Sequence, residues 1–207
     1  MTHLLHVDSS ASRDSHSRKL GRYLVDGWVR RDPSTRLSYR DLDADPLEFV
    51  SDSWVTAAFS PPEQRDDSAL SRSELLIAEL ESADVLVLGA PMYNLGIPAS
   101  LKAWVDQVVR VGRTFGYDGP APVGLLSGKR AIVLATSGGD AHAYAAAGMD
   151  FRTPYLQTIL AFIGIVDVDV VTLVGTASGA PDLATAELEI DSLLDVAVTP
   201  ALVPSQG

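Results

Sequence analysis

The chain has 207 residues, of which 46% are hydrophobic and 21% are charged, and its formal net charge is −11 at pH 7. This composition excludes a disordered chain and a basic nucleic-acid-binding surface, and the absence of cysteine excludes disulfides, zinc–thiolate sites, iron–sulfur clusters and thiol nucleophiles. No apolar run reaches the length of about 18 residues that spans a bilayer, and the N-terminal residues lack the basic lead of a signal peptide, so we expect a cytoplasmic protein with a single domain over residues 1–207 and no membrane or nucleic-acid partner.

Five short runs along the chain predict the strands of a β-sheet. Four of them are almost uniformly apolar and rich in Val, Ile and Leu, as strands covered on both faces are. The second run alternates polar and apolar residues, which is typical of an edge strand. In chain order the runs are 4–7, 36–39, 85–89, 131–135 and 168–174.

Apolar residues at helical spacing connect these runs. They are Leu20, Leu24, Val25 and Trp28 after the first run, Leu76, Ile77 and Leu80 before the third, Leu101, Trp104, Val105 and Val108 after it, Leu156, Ile159, Leu160 and Ile163 before the fifth, and Ile190, Leu193, Leu194 and Ala197 near the end. Alternating strands and helices predict parallel strands joined by right-handed crossovers. The fold class we expect is therefore α/β, a flavodoxin-like doubly wound five-stranded parallel sheet of order 2-1-3-4-5 with helices on both faces.

Two segments are longer than ordinary connections, residues 43–63 and 110–128. The first carries a Pro61–Pro62 pair and the second carries two turns of the Gly-Pro type, and aromatic residues occur in both, so we expect long loops. Long loops within compact domains are often functional.

Three shorter loops follow the first, third and fourth strands, at the sheet edge where ligands of open parallel sheets bind. The first, residues 8–17, is called the serine loop because five serines precede a helix in it. Helix N–H groups and hydroxyls suit a phosphate. Asp8 and Asp14 oppose an anion by repulsion, although Arg13, Arg18 and Lys19 could compensate. The alternative is that Ser15 or Ser17 only caps the helix.

The other two loops favour a flat ligand. The PMYNL loop, residues 91–95, offers an apolar surface and one carboxamide, which suits a large planar ring. Its alternative is a buried connector in which Asn94 is a turn residue. The TSGG loop, residues 136–139, has two glycines that permit close backbone approach, or it is an ordinary turn. The four histidines are scattered, so we expect no metal site.

The order of these segments closely resembles the FMN-dependent NADH:azoreductase family, whose members also reduce quinones. The resemblance runs over nearly the whole chain and is carried by DSS…SHS, APMYNLGIPASLKAWVDQVVR, TSGG, TF-x-Y and TPYL-x-x-x-L-x-FIGI. It implies a flavodoxin-like homodimer with active sites at the interface and FMN as bound cofactor. NADH or NADPH would be the electron donor, and a quinone or azo compound the acceptor, in a ping-pong two-electron mechanism.

The resemblance also implies where FMN binds. The implied contacts are Ser10, Ser15, His16 and Ser17 in the serine loop, Pro91, Met92, Tyr93, Asn94 and Leu95 in the PMYNL loop, and Thr136, Ser137, Gly138 and Gly139 in the TSGG loop. Tyr117 and Phe162 are weaker candidates for the acceptor pocket, from the partner subunit, with core or interface packing as the alternative. No side chain is assigned as an obligate acid or base.

This chain departs from the family pattern at three places. Some members have arginine where this chain has Ser137, which implies a different reduction potential or nicotinamide preference. Residues 43–63 and 140–148 share little with the family pattern, which leaves the acceptor range open. The competing functions are a flavodoxin-type electron carrier without small-molecule turnover, and a non-flavin protein on the same fold.

Overall fold

The five predicted strands form one parallel sheet in the computed structural model, which describes residues 1–177, 179 and 181–198. The strands are β1 (His3–Asp8), β2 (Arg36–Asp41), β3 (Val85–Pro91), β6 (Arg130–Thr136) and β7 (Asp167–Leu173). A separate antiparallel hairpin contains β4 (Phe115–Asp118) and β5 (Ala121–Gly124). The sheet order is β2-β1-β3-β6-β7. Without the hairpin strands this is the predicted order 2-1-3-4-5, so the flavodoxin-like fold class is confirmed.

Helices cover both faces of this sheet. They are α1 (His16–Arg31), α2 (Asp52–Phe59), α3 (Ser71–Ser82), α4 (Ala99–Val108), α5 (Ala141–Ala146), α6 (Thr153–Phe162) and α7 (Leu183–Val198), with two short 3₁₀ turns at Pro62–Gln64 and Asp67–Leu70. Side chains along β3 alternate between the two faces of the sheet, so the core consists of two layers. Val85 and Val87 pack with α1 and α7, whereas Leu86 and Leu88 pack with α3, α4 and α6. Trp28 and Trp104 are buried in these two layers, as their helical spacing predicts.

The prediction of a long loop over residues 43–63 is wrong. Helix α2 lies in it and is capped by Ser51, whose hydroxyl accepts the Trp54 N–H. The indole of Trp54 donates to Gln107 Oε1 at 2.9 Å, which ties α2 to α4. The sequence pattern is faint because α2 has only 8 residues, and the side chains that it buries are the small Ala57 and Ala58.

The second long segment, residues 110–128, is also structured. It forms the β4–β5 hairpin, which turns at Gly119 with φ of 60°. Gly124 lies so close to the end of α6 that a Cβ there would be 2.1 Å from the Gly164 nitrogen. The hairpin therefore packs directly on the backbone that follows α6. Residues 140–148, which depart from the family pattern, contain α5.

Candidate functional site

A cleft of about 380 Å³ opens at the carboxyl ends of β1, β3 and β6. All three loops that the sequence singles out contribute to it. The lining residues are Ser10, Ser12, Asp14, Ser15, His16, Pro91, Met92, Tyr93, Thr136, Ser137, Gly138 and Thr176. The serine loop therefore forms the polar end of the cleft, and the PMYNL and TSGG loops face it. The volume of the cleft is within the usual range for small-molecule sites.

The serine loop leads into α1 through Ser15. Ser15 is the N-cap, and its hydroxyl accepts the Arg18 N–H at 3.3 Å. The capping alternative is thus correct for Ser15, and the same residue lines the cleft. Ser17 is fully buried, and its Oγ lies 3.2 Å from Ser15 Oγ, so its hydroxyl supports the cap. The N–H groups of His16 and Ser17 have no acceptor within the helix, and no other described residue accepts them, so they are available for a ligand.

His16 gives an independent sign that a ligand belongs here. Its Nδ1 is buried and has no hydrogen-bond partner among the described residues. A buried polar atom without a partner is costly unless a bound group satisfies it. Hydroxyls, free N–H groups and the positive end of a helix dipole meet at this end of the cleft. This donor set fits a phosphate group, which is the anionic end of FMN.

Arg18 fixes the backbone of the serine loop from behind. Its Nη2 donates to Ser10 O at 2.8 Å and its Nε donates to Ser12 O at 3.1 Å. The guanidinium is also held by a bidentate pair with Asp41 and by Tyr39 Oη at 3.1 Å. Arg18 is buried, so this loop is held by charge-assisted bonds in dry surroundings.

The cluster around Arg18 also compensates the negative charge of Asp8, which alone would repel a phosphate. Asp8 is buried, accepts the Tyr39 hydroxyl at 2.8 Å, and lies 3.5 Å from both Arg18 and His6. Burial acts to raise the pKa of Asp8, but His6, Tyr39 and Arg18 together outweigh burial and lower it. The carboxylate is therefore ionised and compensated by Arg18, as anticipated from the sequence.

The PMYNL loop ends in a tight turn with an unusual backbone. The N–H and C=O of Tyr93 pair with those of Gly96 at 3.0 and 3.1 Å. Asn94 and Leu95, the central residues, have φ of 49° and 69°. Positive φ at both central positions is the type I′ pattern, and Leu95 is strained in it because leucine rarely adopts this region. Asn94 is thus a turn residue, as the alternative supposed, but the loop is not a buried connector, because Tyr93 and Asn94 are exposed.

Tyr93 joins this turn to the serine loop. Its hydroxyl lies 3.3 Å from Ser10 Oγ and accepts the Ala11 N–H at 3.2 Å. The ring is partly exposed and lines the cleft, so Tyr93 both closes the loop and offers a flat surface.

The TSGG loop is pinned to the segment that follows β7. The carbonyls of Ser137, Gly138 and Gly139 accept N–H groups from residues 175–177, at 3.0 to 3.3 Å. The N–H groups of Gly138 and Gly139 donate no hydrogen bond to any of the described residues. Tyr144 lies against Gly139, where a Cβ would be 2.3 Å from its hydroxyl. This loop therefore presents free N–H groups beside the cleft.

The structure brings together most, but not all, of the residues named from the sequence. Ser17, Asn94, Leu95 and Gly139 adjoin the cleft in the chain without lining it. Tyr117 and Phe162 lie elsewhere, in an aromatic cluster around Phe115, with ring centroids at 5.8 and 4.7 Å from the Phe115 ring.

Sequence reasoning did not assign several residues at the cleft or behind it, among them Asp14, which lines the cleft and was named only as a repulsive charge. Thr176 lines the cleft, and its position after the last strand is a signal that could have indicated it. Ser12 is one of the five serines, and nothing in the pattern singled it out. Arg152 donates to carbonyls 16 and 62 residues away, and no local signal predicts such contacts.

Among the described residues, no three His, Asp or Glu side chains are grouped so as to hold a metal ion. In the same part of the chain, none of the helices has both the length and the apolar character needed to cross a membrane.

Comparison with known proteins shows what this chain is similar to. A family model described as "Flavodoxin-like fold" matches residues 2–194. An FMN-dependent NADH:quinone oxidoreductase from Nostoc punctiforme is 42% identical over 81% of this chain and 84% of its own length. FMN-dependent NADH:quinone oxidoreductase 1 from Jannaschia sp. is 44% identical over 93% of this chain and 99% of its own. A crystal structure of an azoreductase from Bacillus anthracis is 25% identical, with a TM-score of 0.80 over 96% of this chain and 97% of its own.

Proposed function

Because the chain belongs to the flavodoxin-like family of the FMN-dependent NADH:quinone oxidoreductases, we propose that it is an FMN-dependent oxidoreductase. It takes hydride from NADH and reduces quinones and azo compounds. The observation that carries this function is the cleft that unites the serine, PMYNL and TSGG loops at one sheet edge. Its polar end suits a phosphate, and its other walls suit a planar ring.

The serine loop holds the phosphate in this proposal. The hydroxyls of Ser10 and Ser15, the imidazole of His16 and the N–H groups of His16 and Ser17 supply the donors. Ser17 orients Ser15 through its own hydroxyl. No lysine is needed, because the helix end and the compensated cluster behind the loop favour the anion.

The PMYNL and TSGG loops hold the ring. Met92 and Tyr93 offer apolar surface, Asn94 a carboxamide, and Pro91 and Leu95 set the loop's shape.

At the TSGG loop, Thr136 and Ser137 would hold the pyrimidine end of the ring. The N–H groups of Gly138 and Gly139 favour negative charge there. FMN, when bound, supplies hydride acceptance and two-electron transfer. A single site that serves donor and acceptor in turn gives ping-pong kinetics.

The acceptor pocket is completed by a second copy of the chain in this proposal, with Tyr117 and Phe162 as the contributed side chains. The support is an apolar groove of about 300 Å³ on the α2–α4–α6 side, lined by Trp54, Phe59, Val105, Val109, Phe115 and Tyr155 among others. Phe59 is 75% exposed and Tyr117 65% exposed, and apolar surface of this kind is typical of interfaces.

One experiment tests the function as a whole. The purified protein is incubated with FMN and desalted, its absorbance is recorded, and NADH oxidation is followed with a quinone and with an azo dye. A yellow protein that oxidises NADH only when an acceptor is present is expected. A protein that retains no FMN would refute the proposal. A yellow protein inert toward NADH would favour the flavodoxin-type carrier, a function that the relatives' names disfavour.

The dimer has its own test. Sedimentation equilibrium should give a dimer for the wild-type protein, and Phe59→Asp should weaken it and lower the quinone reduction rate. Leu188→Asp is the matched control, since Leu188 is 67% exposed on α7, at the opposite face of the sheet. A monomeric wild-type protein with full activity would contradict the interface part of the proposal.

A further inference from the structure

Arg152 is a buried arginine directly behind the cleft. Its side chain is 1% exposed, and its Nη1 donates to Thr136 O at 2.8 Å and approaches Ala90 O at 3.4 Å. Thr136 lines the cleft, and Ala90 immediately precedes the lining residue Pro91. The guanidinium therefore lies against the carboxyl ends of β3 and β6, where these strands border the cleft.

The residues around Arg152 also hold the PMYNL loop. Thr136 O accepts the Met92 N–H at 2.7 Å in addition to the bond from Arg152. The N–H of Phe151 donates to Leu95 O at 3.0 Å. Residues 151 and 152 thus contact the walls of the cleft at both the PMYNL and TSGG loops, although neither was predicted from the sequence.

The positive charge of Arg152 is only partly balanced. The carboxylate of Asp150 lies 3.9 Å from Nη2, and its Oδ1 is used to accept the N–H groups of Arg152 and Thr153. The Nε of Arg152 is buried without a hydrogen-bond partner among the described residues. Burial lowers the pKa of Arg152, yet a guanidinium remains charged at neutral pH.

This placement matters because charge acts strongly in dry surroundings. Reduction adds electron density to a flavin ring, and a fixed positive charge beside the site stabilises the more negative form more than the neutral one. Asp150 acts in the opposite sense, but its Oδ1 bonds the N–H groups of Arg152 and Thr153 at the start of α6, whereas the guanidinium bonds the carbonyl of Thr136 directly. Of the two charges, the positive one is therefore in contact with the wall of the cleft.

We propose that Arg152 is a positioning residue that raises the reduction potential of FMN bound in the cleft, through its buried charge behind Thr136. This inference rests on the proposed function, since it requires FMN in the cleft. It assigns to α6 and the residue before it an electrostatic role that is separate from contact with any ligand. It also identifies Asp150 as the group that limits the effect.

Three variants of the FMN-loaded protein separate charge from structure. Arg152→Met removes the charge, Arg152→Lys keeps the charge without the planar guanidinium, and Asp150→Asn keeps a capping oxygen while removing the negative charge. The midpoint potential is measured by equilibration with a redox dye, and FMN affinity by fluorescence titration. The thermal stability of each apoprotein is recorded alongside.

Arg152→Met should lower the potential by about 30 mV or more, which is a tenfold change in relative affinity for the reduced form of a two-electron couple. Arg152→Lys should stay much closer to wild type, and Asp150→Asn should raise the potential. A purely structural role for Arg152 would weaken FMN binding in both arginine variants, and Arg152→Met and Asp150→Asn would not shift the potential in opposite directions.

Each remaining outcome decides the matter. Equal lowering in Arg152→Met and Arg152→Lys, or no shift in either, overturns the inference. If Arg152→Met does not retain FMN, Asp150→Asn decides, because a rise supports the inference and an unchanged potential overturns it. Wild-type protein that binds no FMN refutes the proposed function itself, whereas active wild type with unshifted variants refutes only this inference.

Discussion

The guanidinium of Arg18 and the carboxylate of Asp41 form a two-pronged pair, with Nη1 to Oδ2 at 2.6 Å and Nη2 to Oδ1 at 2.7 Å. The pair joins the first turn of α1 to the end of β2, outside the cleft. From there Arg18 donates to Ser10 O and Ser12 O. The shape of the serine loop is thus set by an ion pair that touches no part of the proposed ligand.

Arg18→Met should weaken FMN binding about tenfold and leave riboflavin binding within about twofold of wild type. Riboflavin has the same ring but no phosphate, and loss of the two carbonyl contacts loosens only the phosphate end. A tenfold change in affinity is about 1.4 kcal/mol, a reasonable loss for charge-assisted bonds. Both dissociation constants are measured by flavin fluorescence.

Arg31→Met is the matched control for this prediction. Arg31 lies at the other end of α1, in exposed pairs with Asp191 and Asp195, so neither affinity should change. Equal weakening of FMN and riboflavin by Arg18→Met would show that Arg18 supports the whole cleft, contrary to a specific effect on the phosphate loop.

Asp41 should make the free energy of unfolding depend on pH within a defined range. The hydrogen bond from Arg18 lowers the pKa of Asp41 to about 2, whereas an aspartate in an unfolded chain titrates near 3.9. The native state therefore favours the ionised form. Its contribution is complete above about pH 4 and is lost as the pH falls through about 2.

Urea unfolding of the wild type and of Asp41→Asn, between pH 2 and 7, checks this linkage. The difference in unfolding free energy should be largest at neutral pH, on the order of 1 kcal/mol for a partly exposed pair, and should shrink below about pH 4. A difference that stays constant over the whole range would contradict the assigned direction.

At position 95, a glycine variant should be more stable to unfolding than an alanine variant, which is the reverse of the usual order. Its φ of 69° is a region where glycine has no steric cost and other residues lose roughly 1–2 kcal/mol. Leu95→Gly should therefore unfold at higher urea concentration than Leu95→Ala. Ala78→Gly is the control, because Ala78 is exposed in the interior of α3, where glycine costs about 1 kcal/mol. The usual order at both positions would exclude backbone strain at Leu95.

The fold followed from the sequence because its signals are periodic and local. Buried parallel strands read as continuous apolar runs, and the long helices show a clear apolar face. Helix α2 and helix α5 were missed because each has too few residues to show a period, and α2 buries small alanines. The hairpin strands were missed because their four residues each are mostly exposed and include Pro122.

In the candidate site, too, some residues could be predicted from the sequence and others could not. Loops that follow parallel strands lie at the same edge of the sheet, so most residues in the walls of the cleft can be predicted from their position after a strand. Arg18, Tyr144 and Arg152 act through contacts between distant parts of the chain. The sequence indicates Arg18 only as a compensating charge near the phosphate, because its bonds to two loop carbonyls depend on the packing of α1 against β2. Sequence spacing carries no trace of such geometry.

Gly139 and Tyr144 should be energetically coupled. A Cβ on Gly139 would lie 2.3 Å from the Tyr144 hydroxyl and 2.8 Å from its ring carbon Cζ, so one of the two must move. Gly139→Ala should displace the TSGG loop and weaken FMN binding about tenfold. Gly138→Ala is the matched control with a smaller expected loss, since its Cβ would meet the Ala177 methyl at 3.2 Å.

A double-mutant cycle tests the coupling directly. Tyr144→Ala removes the obstructing ring, so Gly139→Ala should cost much less FMN affinity in the Tyr144→Ala background than in the wild type. Residues in direct contact usually show coupling of roughly 0.5–3 kcal/mol, which fluorescence titration of FMN resolves easily. If the alanine costs the same in both backgrounds, steric conflict with Tyr144 is not the reason for glycine at 139. The reason would then be the ligand itself, because close approach of the backbone to FMN also excludes a side chain at that position.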